Sequence, residues 1–336
     1  MFSNSTNKLI FLILLTFSSA CQQKSRFHIS TFENPVEVKI NRFDLDFVQL
    51  DTTEIILCLT KLEQQYPEFY STYITEGLMM NPADTVENAS LITNFLADTG
   101  FIKVHQKVTE TFSETKDIEN QLTVAFNYLG HYFQDIQLPD IYFFVSGFNH
   151  QFIMRDNILG VGTDMYLGAD YPVYRGVTHD YLIRNMRREM LVSDLLNKLL
   201  HNRFAFNHDI NLLNVMLYEG KISYLLSIIL PDAEPEIIIG YSKEELSWSQ
   251  KQEKRIWTNM IENKHLFSTD YILINQYINL APFTTPVSQE SPGRLGVWMG
   301  WQIVKSYMQN NKDVTLEDLM NDFNYQSILE KSLYRP

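Results

Sequence analysis

The periodicity of apolar and polar positions changes several times along the chain. A short apolar run, Leu9 to Phe17 (LIFLILLTF), follows the basic residue Lys8 and leads into Ser18-Ser19-Ala20-Cys21. Nine residues are too few to cross a hydrocarbon core as a helix, which takes about 20. Val36 to Leu50 alternates in its VEVKI and FDLDF segments and predicts a first strand or strand pair. From Asp51 to about Phe133 the spacing predicts several amphipathic helices, one of them capped by Asp84 with Glu87 three residues later. Asp140 to Phe148, Gln151 to Met154 and Ile158 to Asp164 are rich in aromatic and β-branched residues. Asp156-Asn157 makes a turn between the last two, so a small antiparallel meander is expected.

Helical spacing then returns and lasts to the end. Tyr181 to Leu200 carries Leu191, Leu195 and Leu199 on one face. Leu212 to Leu230 contains Glu219 and Lys221 and reads as a buried helix, not a membrane span. Ser242 with Glu245 and Thr315 with Asp318 are helix-start signatures. Trp298, Trp301, Val304 and Tyr307 share a face suited to a core, and Gly296 with Gly300 would let that helix pack closely. The expectation is an α+β fold, predominantly helical, with one domain over residues 36–336 and a small antiparallel sheet.

The N-terminal run and the small residues before Cys21 read as a lipoprotein signal over residues 1–20, with Cys21 acylated as the first mature residue and 21–35 as a tether. Ser18 stands where a larger aliphatic residue is usual, and a plain secretory signal or a buried N-terminal strand are the other readings. Removing residues 1–20 takes away only Lys8 among charged side chains, so 27 basic and 40 acidic residues become 26 and 40, a charge of −14. That acidity excludes nucleic acid and anionic membrane surfaces as partners recognised by charge. With 45% hydrophobic residues the chain can bury a large core. Cys58, in EIILCLTKL, reads as a small core residue, and no internal disulfide is possible if Cys21 carries lipid.

Candidate chemistry concentrates on two helices after the meander. Glu189, and Glu219 thirty residues later in MLYEGKISYLLSIILPD, resemble the order found in gluzincin zinc peptidases. There two histidines at i and i+4 and a later glutamate bind zinc, and the glutamate between the histidines is the general base. Glu189 matches the base and Glu219 the third ligand, but the histidine positions are Arg188 and Val192. Arginine repels a dication and valine has no donor atom, so neither a metal nor another cofactor is expected. Plainer roles remain open: a solvated helix residue for Glu189, and a buried carboxylate paired with a basic neighbour for Glu219. If the fold descends from such a peptidase, Arg188 and Glu219 are expected to form an ion pair in place of the metal. His201 and His208 would share a face only if a helix ran on through Asn202 to Asn207, and the asparagines favour a break. Ser193-x-x-Asn and His179-Asp180 are too short to name a catalytic group. There is no P-loop, Gly-x-Ser-x-Gly, Cys-x-x-Cys or Gly-x-Gly-x-x-Gly. Arg294 in Ser291-Pro292-Gly293-Arg294 enters a helix N-terminus and could hold an anion or a partner there; a structural salt bridge is the other reading.

A closer resemblance lies in GTDMYLGADYPVY (162–174), MLYEGKISYLLSIILPD (216–232), IIIGYSKEELSWSQKQEKRIW (237–257) and SPGRLGVWMGWQIVKSYM (291–308). In this order behind a lipoprotein signal, they resemble the gliding motility lipoprotein family GldB of Bacteroidetes over nearly the whole mature chain. The resemblance implies a cell-envelope lipoprotein required for gliding and linked to type IX secretion. It implies no catalytic activity and a likeness to metallopeptidase-like proteins that have lost the zinc motif. The expected function is therefore a non-enzymatic component holding a protein or glycan partner, with an active envelope hydrolase as the alternative. Expected partners are other motility or secretion proteins, with the membrane reached through the lipid. Gln22 to Ser25 lack the acidic residues that resemble a surface-export tag, which points to the periplasmic face.

Substituting Cys21→Ser should release the protein from the membrane fraction and abolish incorporation of labelled palmitate. A variant that stayed quantitatively in the membrane, beside a wild type that took up no label, would refute the signal reading.

Overall fold

The computed structural model describes residues 25–336; Cys21 and the apolar run before it lie outside them. The first half contains a short strand, β1 (Ile40–Asn41), and the helices α1 (Phe43–Val48), α2 (Ile55–Gln65), α3 (Pro67–Thr72), α4 (Thr85–Ala97), α5 (Thr99–Thr111) and α6 (Lys116–Tyr132). The middle of the expected tether lies against α6: Phe27 is buried, the Tyr132 hydroxyl donates to its carbonyl (2.9 Å), and the Ile29 amide donates to the Tyr128 hydroxyl (3.2 Å).

The alternation of VEVKI has a cause other than a strand pair. The amides of Val36, Val38 and Ile40 donate to the side chains of Asn127 (2.8 Å), Thr123 (3.0 Å) and Glu119 (3.1 Å), which are spaced four residues apart on α6. Two extended residues advance about 6.6 Å and four helical residues about 6 Å, so every second amide meets one helical turn. Only Ile40 and Asn41 join the sheet. FDLDF is not a strand but α1. Its Phe43 and Phe47, four apart, pack on Tyr73 at centroid distances of 4.9 and 5.2 Å, while Arg42 grips Asp44 at 2.8 and 2.9 Å. A short alternating run fits either period, and here aromatic packing decides. Helix α4 starts directly after Asp84, but the Asp84 carboxylate accepts from Asn81 (2.9 Å) instead of capping the helix. Cys58 is free and half-buried on α2, not a core residue.

β2 (Asp140–Phe144), β3 (Phe152–Arg155) and β4 (Ile158–Gly162) complete a sheet ordered β1-β2-β4-β3. The expected antiparallel meander is corrected to a mixed sheet. β3 and β4 do form a hairpin over Asp156-Asn157, but β4 runs parallel to β2, as does β1. The loop after β2 is held by the buried Asp164 carboxylate, which accepts the amides of Ser146 (3.0 Å) and Phe148 (2.6 Å). Burial raises the Asp164 pKa against the pull of these donors. The pinned loop carries the chain past β2, and β4 returns into the gap. Central and covered, β4 is buried at every residue, which is why it reads as a nearly continuous apolar run.

The second half is helical: α7 (Tyr174–Val177), α8 (Asp180–Ile183), α9 (Leu191–Arg203), α10 (Leu212–Ile229), α11 (Pro235–Ile239), α12 (Lys243–Glu262), α13 (Tyr271–Ile278), α14 (Leu295–Asn310), α15 (Leu316–Asn321) and α16 (Tyr325–Ser332). The helix expected over Tyr181 to Leu200 is broken, because α8 ends early and a 3₁₀ turn over Arg188–Met190 precedes α9. Helix α10 is long and apolar enough to cross a membrane, yet 72% of it is buried inside the domain, as its two charges imply. It crosses α14 at glycines: a Cβ on Gly220 would lie 2.3 Å from the Gly300 carbonyl carbon, and one on Gly300 would lie 1.9 Å from the Met216 oxygen. Capping boxes open α12 and α15 at the expected residues.

Gly300→Ala should therefore destabilise the soluble Cys21→Ser protein by about 3 kcal/mol or more, because backbone must move. Gly176→Ala, whose Cβ would meet nothing within 4 Å, should change stability by under about 1 kcal/mol. Denaturant unfolding of both variants checks the contrast, and similar values would mean that the crossing is looser than described.

Candidate functional site

Helix α9 sorts its residues by face. Leu191, Leu195, Leu196, Leu199 and Leu200 are buried, while Asp194, Asn197 and His201 form a stripe that lines a cleft of about 570 Å³. Phe152 at the start of β3 with Gln151 just before it, the Ile237 to Gly240 segment, Leu280 and Arg294 close its sides, and Glu219 of α10 reaches it from below.

Two arrangements of charge occupy the cleft. His201 directs Nδ1 at the Asn197 carbonyl (2.9 Å) and Nε2 at the Glu219 carboxylate (3.0 Å). Both neighbours only accept, so both ring nitrogens donate and the imidazole carries a charge. Burial opposes this charge, but the Glu219 carboxylate outweighs it and raises the His201 pKa. Glu219 is likewise penalised by burial and is nevertheless lowered by His201 and, at longer range, by Arg294. The second arrangement is Asp194, half-buried, whose Oδ2 accepts from the Tyr166 hydroxyl (3.1 Å) and from Gln151 Nε2 (3.2 Å). Burial pushes its pKa up to about 7, with Tyr166, Arg294, Arg187 and Gln151 pulling the other way. Asp194 can thus exchange a proton near neutrality, whereas His201 and Glu219 are committed to one another.

The residues singled out from sequence are mostly elsewhere. Arg188 sits on the 3₁₀ turn and grips Asp117 of α6 at 2.5 and 2.7 Å, with a further bond to the Glu114 carbonyl (2.7 Å). This contact is the first cause of the lowered Asp117 pKa. Glu189 is exposed and lies 3.6 Å from Arg187, and Val192 is buried in the core. The expected Arg188–Glu219 ion pair is therefore not formed: the break before α9 turns Arg188 towards α6, and His201 meets Glu219 instead. Arg294 does line the cleft. Its Nη1 donates to the Ile239 carbonyl (3.2 Å), no carboxylate among the described residues lies within ion-pair distance of it, and its backbone is left-handed at φ 59°. The first amide of α14, Leu295, is taken by Thr284 (3.3 Å). Among the described residues no three His, Cys, Asp or Glu side chains are grouped to hold a metal ion. A second cavity of about 670 Å³, beside α5, is lined by Phe95, Phe101, Val104 and Phe148 and contains no comparable buried carboxylate network.

The sequence profile described as gliding motility protein GldB matches residues 22–336. The chain belongs to that family. No curated protein and no solved structure matches it. Family membership makes this a gliding motility lipoprotein, a membrane-anchored protein of the cell envelope. The matched span includes every residue of the cleft. The likeness to zinc peptidases receives no support from these comparisons.

The shifted groups set a pH dependence. Asp194 is raised in the folded protein, so the fold binds its proton more tightly, and stability falls as pH rises from the ordinary value of 3.8 through about 7. Asp194→Asn should therefore raise the melting temperature at pH 8, on the order of 2 to 5 °C, and the gain should shrink as pH is lowered towards 4. A gain independent of pH would show that the carboxyl is not the group responsible. The His201–Glu219 pair acts in the same direction at its upper limit, where its contribution is lost as pH rises through the raised His201 pKa, and in the opposite direction at its lower limit, where it is lost as pH falls through the lowered Glu219 pKa.

Proposed function

We propose that this gliding motility lipoprotein faces the periplasm, serves the type IX secretion machinery, and acts there without catalysis. Its α9 cleft holds an extended segment of a partner envelope protein. The observation that carries the reading is the position of β3, which borders the cleft and has no strand on its outer side among the described residues. The Gly162 amide donates to the Gln151 carbonyl (3.0 Å), so in the antiparallel register Ile153 and Arg155 bond to β4, and the amides and carbonyls of Phe152 and Met154 face outward. A free edge of this kind accepts an added strand through main-chain bonds, and a neighbouring cleft selects side chains. The closed His201–Glu219 pair supports binding over chemistry, since neither group is left to attack a substrate. The alternative, an envelope hydrolase, draws on Asp194, whose pKa near 7 suits a general acid or base.

Met154→Pro separates these readings. It removes an outward amide and leaves the bonds to β4 in place, so the protein should fold and reach normal abundance. Gliding should be lost. Asp194→Asn and Glu189→Gln should glide nearly as wild type, whereas loss of a general base reduces a rate by roughly 10²- to 10⁴-fold. Normal gliding by Met154→Pro, or complete loss in a stable Asp194→Asn, would overturn the binding reading.

A further inference from the structure

The chain enters the folded body at a fixed place. The Arg26 guanidinium donates to the carbonyls of Lys312, Asn311 (3.5 Å) and Val314 (2.7 Å), the turn that follows α14, and lies 4.5 Å above the Phe27 ring. Phe27 itself is buried. Five residue steps separate Cys21 from Arg26, which at full extension reach about 17 Å. A tether of fifteen free residues would reach about 50 Å and impose no orientation; the docking of Arg26 to Ile29 removes most of that freedom.

The cleft lies at the other end of the same helix. Arg294, which lines it, immediately precedes α14, and Asn311 immediately follows. The sixteen residues of α14 span about 24 Å. An anchor at Cys21 is thus held near one end of α14 while the cleft opens at the other.

We propose that the face made by Arg26 and the 311–314 turn rests on the headgroups of the membrane, with the C-terminal end of α14 towards the bilayer and the α9 cleft about 24 Å farther out. The proposal rests on acylation of Cys21. The contact follows from tether length and needs no anionic lipid: exposed Lys312 and Lys331 alternate on this face with exposed Asp313 and Glu330. A partner then reaches the cleft from the envelope space without competing with lipid.

The test uses protein expressed with its own signal and purified from membranes, carrying Cys58→Ser and reconstituted in phosphatidylcholine vesicles that contain a nitroxide-headgroup lipid. A fluorophore is attached through Lys312→Cys or through Leu280→Cys, the latter 48% exposed at the cleft. Quenching should be at least threefold stronger, roughly, at 312 than at 280 over a difference of about 24 Å. Arg26→Gln should reduce that contrast. Equal quenching, or stronger quenching at 280, in protein that floats with the vesicles would overturn the orientation alone. Protein that does not float would overturn the acylation as well, and a contrast unchanged by Arg26→Gln would remove Arg26 from the explanation.

Discussion

The helical half depends on the contact between α10 and α14 at Gly220 and Gly300, where backbone meets backbone and no side chain fits. Successive helical residues point about 100° apart. Seating Gly220 against α14 therefore sends its two neighbours to opposite flanks. Glu219 goes to the cleft and meets His201. Lys221 goes to the C-terminal segment, where it donates to the carbonyls of Asp322 (2.7 Å) and Met320 (3.4 Å) and faces the rings of Phe323 and Tyr325. Burial pulls its pKa down to about 8, against the nearby Asp322. One close crossing thus supplies both the floor of the cleft and the attachment of the last helices.

Buried and half-buried charges in this protein answer one another locally. Arg188 ties the turn before α9 to the start of α6, Arg42 closes on Asp44, and Arg184 reaches Glu245 at the capping box of α12. The Arg188 and Arg184 pairs join segments distant in sequence, and Arg42, beside Asp44, also donates to the distant Phe112 carbonyl (2.8 Å), so their first effect is on geometry. The cleft is where this matching is incomplete: Arg294 has a carbonyl for its nearest acceptor, and Asp194 is solvated by a tyrosine and a glutamine in place of a cation. Arg294, held in that state, is available to a ligand at little cost in rearrangement.

On the proposed reading, a gliding motility lipoprotein with a cleft beside an open strand edge divides its interactions between its two ends. The short, docked N-terminal segment matters as much as the cleft, because a partner site on a membrane protein is useful only if it faces the compartment where the partner is.

Local pattern determined what local pattern can encode. The capping boxes at Ser242 and Thr315, the buried α10, the turn at Asp156-Asn157 and the family blocks were legible because each depends on residues adjacent along the chain or one turn apart. Glu219 and Arg294 stood out in the sequence as candidate site residues and both line the cleft, but their partners were not legible. Asp194, Asn197 and His201 recur at i, i+3 and i+7 opposite the leucine face, a signal present in the sequence beside the zinc-peptidase-like pattern over 188–192. Tertiary structure decided the rest. The alternation of Val36 to Ile40 answers the four-residue spacing of α6, the period of FDLDF is set by Tyr73, and the direction of β4 is set by a loop that Asp164 pins. In the first two cases the deciding atom lies tens of residues away, and in the third Asp164 acts on a loop sixteen to eighteen residues back; periodicity records that a side is buried without recording what buries it.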